Sequence, residues 1–192
     1  EYKYVGKFKN GKILIGTATY PGGATYIGMF ENYKPHGEGT FTYANGSKYF
    51  GEWKNGKAHG QGIKTWKDGR KYTGAFRNDE PHGQGTFLHP DGSKYFGQYK
   101  DGKRHGDGTL TYSDGRTYIG QFAAGLAYGK GICINQNGTS IECTMLKMDK
   151  QGSTTASKNR RSIAIEAKKW VKLSEYETAT GKGKKIMDQL EN

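Results

Sequence analysis

Four histidines recur at a fixed interval: His36, His59, His82 and His105. Each opens a His-Gly-x-Gly string, ending at Gly39, Gly62, Gly85 and Gly108. A row of histidines suggests zinc, but the spacing opposes it. If the interval is two strands, equivalent side chains stand about 9–10 Å apart, whereas zinc needs ligand atoms about 2 Å from the ion. No cysteine or carboxylate column closes that gap, so no metal and no cofactor is expected. His-Gly-x-Gly is also a pattern of oxyanion-hole loops, yet no Gly-x-Ser-x-Gly elbow accompanies it. Gly-x-Gly recurs without the following helix that a dinucleotide site requires. Gly181-Lys-Gly-Lys-Lys185 lacks the spacing and preceding strand of a phosphate loop. There is no nucleophile, base and orienting group in sequence, so the chain does not read as an enzyme. Each histidine is instead expected to hydrogen-bond across to the neighbouring hairpin.

The elements that carry the histidines repeat every 23 residues. Tyr26, Tyr49, Tyr72, Tyr95 and Tyr118 are each followed two residues on by a glycine, and two further on by Phe30, Trp53, Phe76, Tyr99 or Phe122. This alternation is the period-two signal of a strand. Asn10-Gly11, Asn55-Gly56 and Asp101-Gly102 are hairpin turn signals. A second alternating run, clearest at Gly37, Gly39, Phe41 and Tyr43, ends at Asn45-Gly46, and its later counterparts end at Asp68-Gly69, Asp91-Gly92 and Asp114-Gly115. Each unit therefore reads as strand, turn, strand, turn, with no room for a helix of ordinary length. The expected fold is all-β: a single-layer antiparallel meander of repeated β-hairpins, about six 23-residue units and roughly 55 Å long, followed by a short helical tail.

Parity divides the sheet. The tyrosines, glycines and second aromatics fall on one face, with the return-strand glycines beside them. Rings from neighbouring strands can then lie over bare backbone. The other face carries the histidines, then Glu38, Gln61, Gln84 and Asp107, then threonines. It also has an apolar row at Val5, Ile27, Phe50, Phe96 and Ile119, interrupted by Thr73.

The string Tyr-x-Gly-x-aromatic, Asn/Asp-Gly, His-Gly-x-Gly, Asp/Asn-Gly resembles the MORN (membrane occupation and recognition nexus) repeat. The resemblance covers about residues 2–143 and is closest in 26–48, 49–71, 72–94 and 95–117. The ends depart from it. Ile13-Leu14-Ile15 stands where His-Gly belongs, and in the last unit Tyr128 and Cys133 replace the histidine and phenylalanine. The resemblance implies a curved hairpin solenoid with a grooved aromatic face, a scaffolding or partner-binding role, lipid binding in some members, and no catalysis.

Composition agrees with a thin sheet. Only 33% of the 192 residues are hydrophobic, and the formal net charge is +12. Residues 1–147 carry 20 basic and 12 acidic side chains, and residues 148–192 carry 10 and 6. A diffuse positive charge favours anionic partners: acidic proteins, phospholipid headgroups or nucleic acid. The aromatics sit in columns that repeat packing needs, which argues against a nucleic-acid platform. Cys133 and Cys143 are expected on adjacent strands as diagonal neighbours, too far apart for easy closure and therefore free thiols. No run approaches the ~18 apolar residues of a membrane span. The chain opens at Glu1, which leaves room for a removed upstream signal; a cytoplasmic or membrane-peripheral location is favoured.

Two regions follow: the repeat array, 1–147, and a linker with a basic amphipathic tail, 148–192. In the tail, Ser162 is an N-cap candidate, and Ile163, Ala167, Trp170 and Ser174 follow helical spacing. Packed in the groove, such a helix would compete with a peptide ligand. The leading functional expectation is a protein or peptide partner, acidic in character, lying along the aromatic face and anchored on Tyr49, Trp53, Tyr72, Phe76, Tyr95, Tyr99, Tyr118 and Phe122. The alternative is peripheral binding to anionic phospholipid through Arg160, Arg161, Lys168, Lys169, Trp170 and Lys172. Unpaired edge strands at the array ends would also allow copies of the chain to pair end to end.

Overall fold

The computed structural model describes residues 1–145. The tail expected over 148–192, with its helix and its basic residues, lies outside the described residues. Among the described residues thirteen strands run in chain order and fall into two compact units. The first unit, from Glu1 to Lys67, holds β1 (Lys3–Lys9), β2 (Lys12–Thr19), β3 (Thr25–Glu31), β4 (Lys34–Thr42), β5 (Lys48–Lys54) and β6 (Lys57–Thr65). The second, from Asp68 onward, holds β7 (Lys71–Arg77), β8 (Glu80–Leu88), β9 (Lys94–Lys100), β10 (Lys103–Thr111), β11 (Thr117–Ala123), β12 (Leu126–Ile134) and β13 (Ser140–Met145). Within each unit every strand pairs antiparallel with its neighbours in sequence, and no described residue is helical.

Two kinds of turn alternate. The tight one has two central residues in the left-handed region, as at Asn55 (φ 53°) and Gly56 (φ 82°) or Asp101 (φ 49°) and Gly102 (φ 75°). That twist suits a two-residue hairpin. At Asn32-Tyr33 and Asn78-Asp79 the same geometry is held without glycine. The wider loop closes on itself: Tyr43 N–H donates to Ser47 O and Gly46 N–H to Tyr43 O, both 2.9 Å. The side chain of its Asx residue caps the exit, as where Ser47 N–H donates to Asn45 Oδ1 at 2.9 Å.

The register joins glycine to glycine. In the first unit Gly6, Gly16, Gly28, Gly39, Gly51 and Gly62 pair in succession across the strands. In the second, Gly74, Gly85, Gly97, Gly108, Gly120 and Gly131 do the same. The expected face assignment holds: Phe41 pairs with Tyr26 and Tyr49, and Gly37 with Trp53. A bulge then interrupts the β3–β4, β5–β6, β7–β8 and β9–β10 hairpins just past the glycine pair, where the return strand carries His-Gly-x.

The cysteines correct the sequence expectation. Cys133 and Cys143 form a disulfide with Cα atoms 5.8 Å apart. The register is diagonal, as expected: Cys133 lies opposite Ile141, and Cys143 opposite Gly131. Strand twist shortens one of the two diagonals of such a pair, and the cysteines lie on the shortened one. The separation falls within the range that disulfides span.

Two predictions follow from this architecture. A Cβ at Gly85 would lie 2.3 Å from the Tyr72 hydroxyl, and one at Gly74 would lie 2.5 Å from the Gln84 carbonyl oxygen. Gly85→Ala and Gly74→Val should each cost about 2–3 kcal/mol, read as a fall in Tm. Gly92→Ala, with nothing within 4 Å, should cost only about 1 kcal/mol of left-handed strain. Reducing Cys133–Cys143 should weaken the last hairpin by about 2–3 kcal/mol. Amide exchange over Ser140–Met145 should then accelerate while that of β8 and β9 stays unchanged.

Candidate recognition surface

The repeated tyrosine is the centre of each hairpin. Its ring lies over the second glycine of His-Gly-x-Gly: a Cβ at Gly39, Gly62 or Gly108 would come within 2.2–2.5 Å of the ring's hydroxyl. The hydroxyl enters the bulge and donates to a backbone carbonyl. The acceptors are Met29 O at 2.9 Å for Tyr26, Glu52 O at 2.9 Å for Tyr49, Ala75 O at 2.9 Å for Tyr72 and Gln98 O at 3.0 Å for Tyr95. Tyr118, in the departing last repeat, stands 3.5 Å from the equivalent Gln121 O and lies closer to Tyr128 O, at 3.1 Å. In each case a backbone group freed by the bulge is satisfied by a buried phenol.

The second aromatic of each strand stands edge-on to the tyrosine. Ring centroids are 5.0 Å apart for Tyr49–Trp53, 4.9 Å for Tyr72–Phe76 and 5.2 Å for Tyr95–Tyr99, with planes near perpendicular. The same rings touch the next repeat within their unit: Tyr26–Trp53, Tyr72–Tyr99 and Tyr95–Phe122. Trp53 Nε1–H donates to Gly39 O at 3.1 Å. The eight residues singled out in the sequence are therefore placed on the ring face of their unit: Tyr49 and Trp53 in the first, and Tyr72, Phe76, Tyr95, Tyr99, Tyr118 and Phe122 in the second. They are also 0–6% exposed. They occupy one another, and only ring edges remain for anything outside.

The open part of the face is the column before each wide loop, which the sequence reading did not single out as a site. In the first unit Phe41 and Tyr43 pack at 4.7 Å, Tyr20 lies 5.4 Å from Phe41, and all three are half-buried. Lys64 Nζ sits 5.4 Å above the Tyr43 ring and 5.3 Å above the Trp66 ring. In the second unit Phe87 packs on His89 at 4.7 Å, and Arg116 lies over Tyr112, which is 41% exposed. The signal for these residues was their parity with the buried tyrosines at a place where no glycine lies opposite.

The four motif histidines, His36, His59, His82 and His105, lie on the other face of their units. His36 Nδ1 is 3.0 Å from the Glu31 carboxylate of its own hairpin, and His82 Nδ1 is 3.6 Å from Asp101 on the neighbouring one. The cross-hairpin hydrogen bond expected of them is not made at His36, and His82 stands beyond its range. Among the described residues no group of three or more His, Cys, Asp and Glu could hold a metal ion, and no helix is long and apolar enough to cross a membrane.

The MORN repeat family model matches residues 26–48, 49–69, 72–94, 95–115 and 118–140, more than half of the chain. The chain is a MORN-repeat protein. Its matched repeats coincide with the tyrosine-centred hairpins, and the family pattern is carried by the rings and glycines just described. No curated protein matches the chain in sequence. Among solved structures, the TCP domain of SAS-4 (dCPAP) from Drosophila melanogaster, determined with a proline-rich motif of Ana2 (dSTIL), is similar with a TM-score of 0.43 and 11% identity. That match covers 73% of this chain and 82% of the other. The TCP10 domain of Danio rerio CPAP, determined with a STIL peptide, is similar with a TM-score of 0.32 and 15% identity over 74% and 68% of the two chains.

Burial pushes the phenols upward. Tyr95 and Tyr20 are raised to about 12, and Tyr26 and Tyr99 further still. Folded values above the unfolded 10.0 mean that the unfolded chain loses these protons first. Their contribution to stability is whole below pH 10 and is lost as pH rises toward 12 and beyond. Tm should be flat to about pH 9 and fall steeply above pH 10. The phenolate absorbance of the buried tyrosines should appear only in step with unfolding, whereas full ionisation of all 14 tyrosines in a chain that is still folded would contradict the burial.

Proposed function

We propose that this MORN array is a non-catalytic recognition module that binds an extended or helical segment of a protein partner along its aromatic face. The buried pairs Tyr49–Trp53, Tyr72–Phe76, Tyr95–Tyr99 and Tyr118–Phe122 serve as a stiff floor and offer the partner their edges. The half-open rings beside them make the contact. What supports this reading best is the patch in the first unit, where Phe41, Tyr43 and Trp66 share the face with Lys64 over two of the rings. A cation held over aromatic rings can turn from them to a carboxylate of the partner without leaving apolar ground. Such a surface suits an acidic segment with apolar anchors, and the net charge of +12 would speed its approach.

The test is selection of peptides from a displayed library against the full chain, followed by titration of the winners. Trp66→Ala and Tyr43→Ala should each weaken binding about tenfold, the cost of an interface aromatic, with little change in Tm. Trp53→Ala would be a poor probe, because that ring is part of the core. Selected peptides that bind both variants as tightly as the parent chain would sink the proposal. Co-sedimentation with anionic and neutral liposomes, with and without residues 148–192, tests the phospholipid alternative. Retention that needs anionic lipid and the tail at physiological salt would replace the peptide reading.

A further inference from the structure

The bulge in each matched hairpin contains a glycine in the left-handed region, and the backbone around such a residue makes a small concavity for an anion. In β6 the concavity is filled from within. Gly60 has φ 57°, and Gln61 N–H donates to Glu52 Oε1 at 2.8 Å. A Cβ on Gly60 would lie 2.4 Å from the Glu52 carboxyl carbon. In β10 the same place is taken by the Gln98 amide oxygen against Gly106, and in β4 by the Met29 sulfur against Gly37. In β8 the backbone is alike, with Gly83 at φ 68°, but the opposing residue is Ala75. Its methyl, 3.4 Å from where a Gly83 Cβ would sit, is the nearest group to that point.

Gly83 lines a shallow, open depression of about 400 Å³ together with Arg77, His82, Gln84, Gln98, Tyr99, Lys100 and His105. No carboxylate lines it. Asp101, outside the lining and 3.6 Å from His82 Nδ1, has a side chain that is 70% exposed. Among the described residues Arg77 and Lys100 make no ion pair. Two repeats earlier, the positions of Arg77, Gln84 and Gln98 are Glu31, Glu38 and Glu52. There the lattice supplies its own acid; here it supplies cations and omits the acid.

We propose that the concavity at Gly83 is a carboxylate-binding site that takes a Glu or Asp side chain from an acidic segment of a partner protein. The carboxylate accepts from Gln84 N–H as Glu52 does from Gln61 N–H. Arg77 and Lys100 supply the opposite charge, and the Gln98 amide a further donor. The assignment to a carboxylate rests on Glu52, which shows that this group fits this bulge. The choice of a protein as its source rests on the recognition reading above, although the histidines rather than the half-open rings border the site.

The probe is a fluorescent hexaglutamate peptide titrated into the full chain at about 0.1 M salt, with hexaglutamine as the neutral control. Ala75→Glu copies the residue found at Glu52 and should fill the site from within, weakening hexaglutamate about tenfold, the worth of a charged hydrogen bond. Lys100→Gln, which leaves the bulge untouched, should weaken it about threefold. Trp66→Ala should leave hexaglutamate binding unchanged, so this site can fail while the aromatic surface stands, and the reverse. The proposal is overturned if Ala75→Glu binds hexaglutamate as the parent does. It is equally overturned if inorganic phosphate or phosphatidylserine vesicles bind in an Ala75→Glu-sensitive way and hexaglutamate does not.

Discussion

The phenol that enters the bulge is the interaction on which the hairpin depends. Past the glycine pair the ladder opens, because one strand carries extra residues. An opened ladder under a layer of rings would leave carbonyls without donors, at a cost comparable to a lost buried hydrogen bond. Tyr26, Tyr49, Tyr72 and Tyr95 each close one such gap with an O–H donor. The rings can reach it only because the residues beneath them have no side chains. Hydroxyl, glycines and bulge are therefore a single device: remove any one and the other two become a defect.

That device explains how a chain with 33% hydrophobic residues holds a sheet. The core is not deep. It is a file of rings: each repeated tyrosine touches the second aromatic of its own strand, and Tyr26, Tyr72 and Tyr95 also touch that of the next repeat in their unit. Aromatic contacts of this edge-on kind add to simple area burial. Because each repeat leans on its neighbours, the end repeats can lose motif residues, and the first and last do. The last is instead fastened covalently by Cys133–Cys143.

Much of this was legible in the residues. Asn55-Gly56 and Asp101-Gly102 fixed the tight turns, and alternation along Tyr49-x-Gly51-x-Trp53 fixed the face. The recurrence of Gly39, Gly62, Gly85 and Gly108 marked where rings must lie. The disulfide was not legible, since closure depended on which diagonal the twist shortens, and pattern carries no twist. Ring exposure was not legible either. Tyr72 and Tyr112 share a face and a residue type, but one lies over glycine and is closed in, while the other has no such seat. Ala75 carried no signal at all, because its place stands out only beside Glu52, which fills the same bulge in another hairpin.

The bridge between β12 and β13 also has a mechanical meaning. A strand held only by a ladder of hydrogen bonds can be unzipped one pair at a time by a pull on its end. Here a pull applied beyond Met145 frees two residues and then meets Cys143, which passes the load to Cys133 across the pair. The last two strands consequently bear tension as one piece. Further yielding has to begin at the β11–β12 ladder, where the buried Tyr118 lies over Gly120 and Gly131. The hairpin that carries Tyr128 and Cys133 in place of the motif histidine and phenylalanine is thus armoured against being peeled.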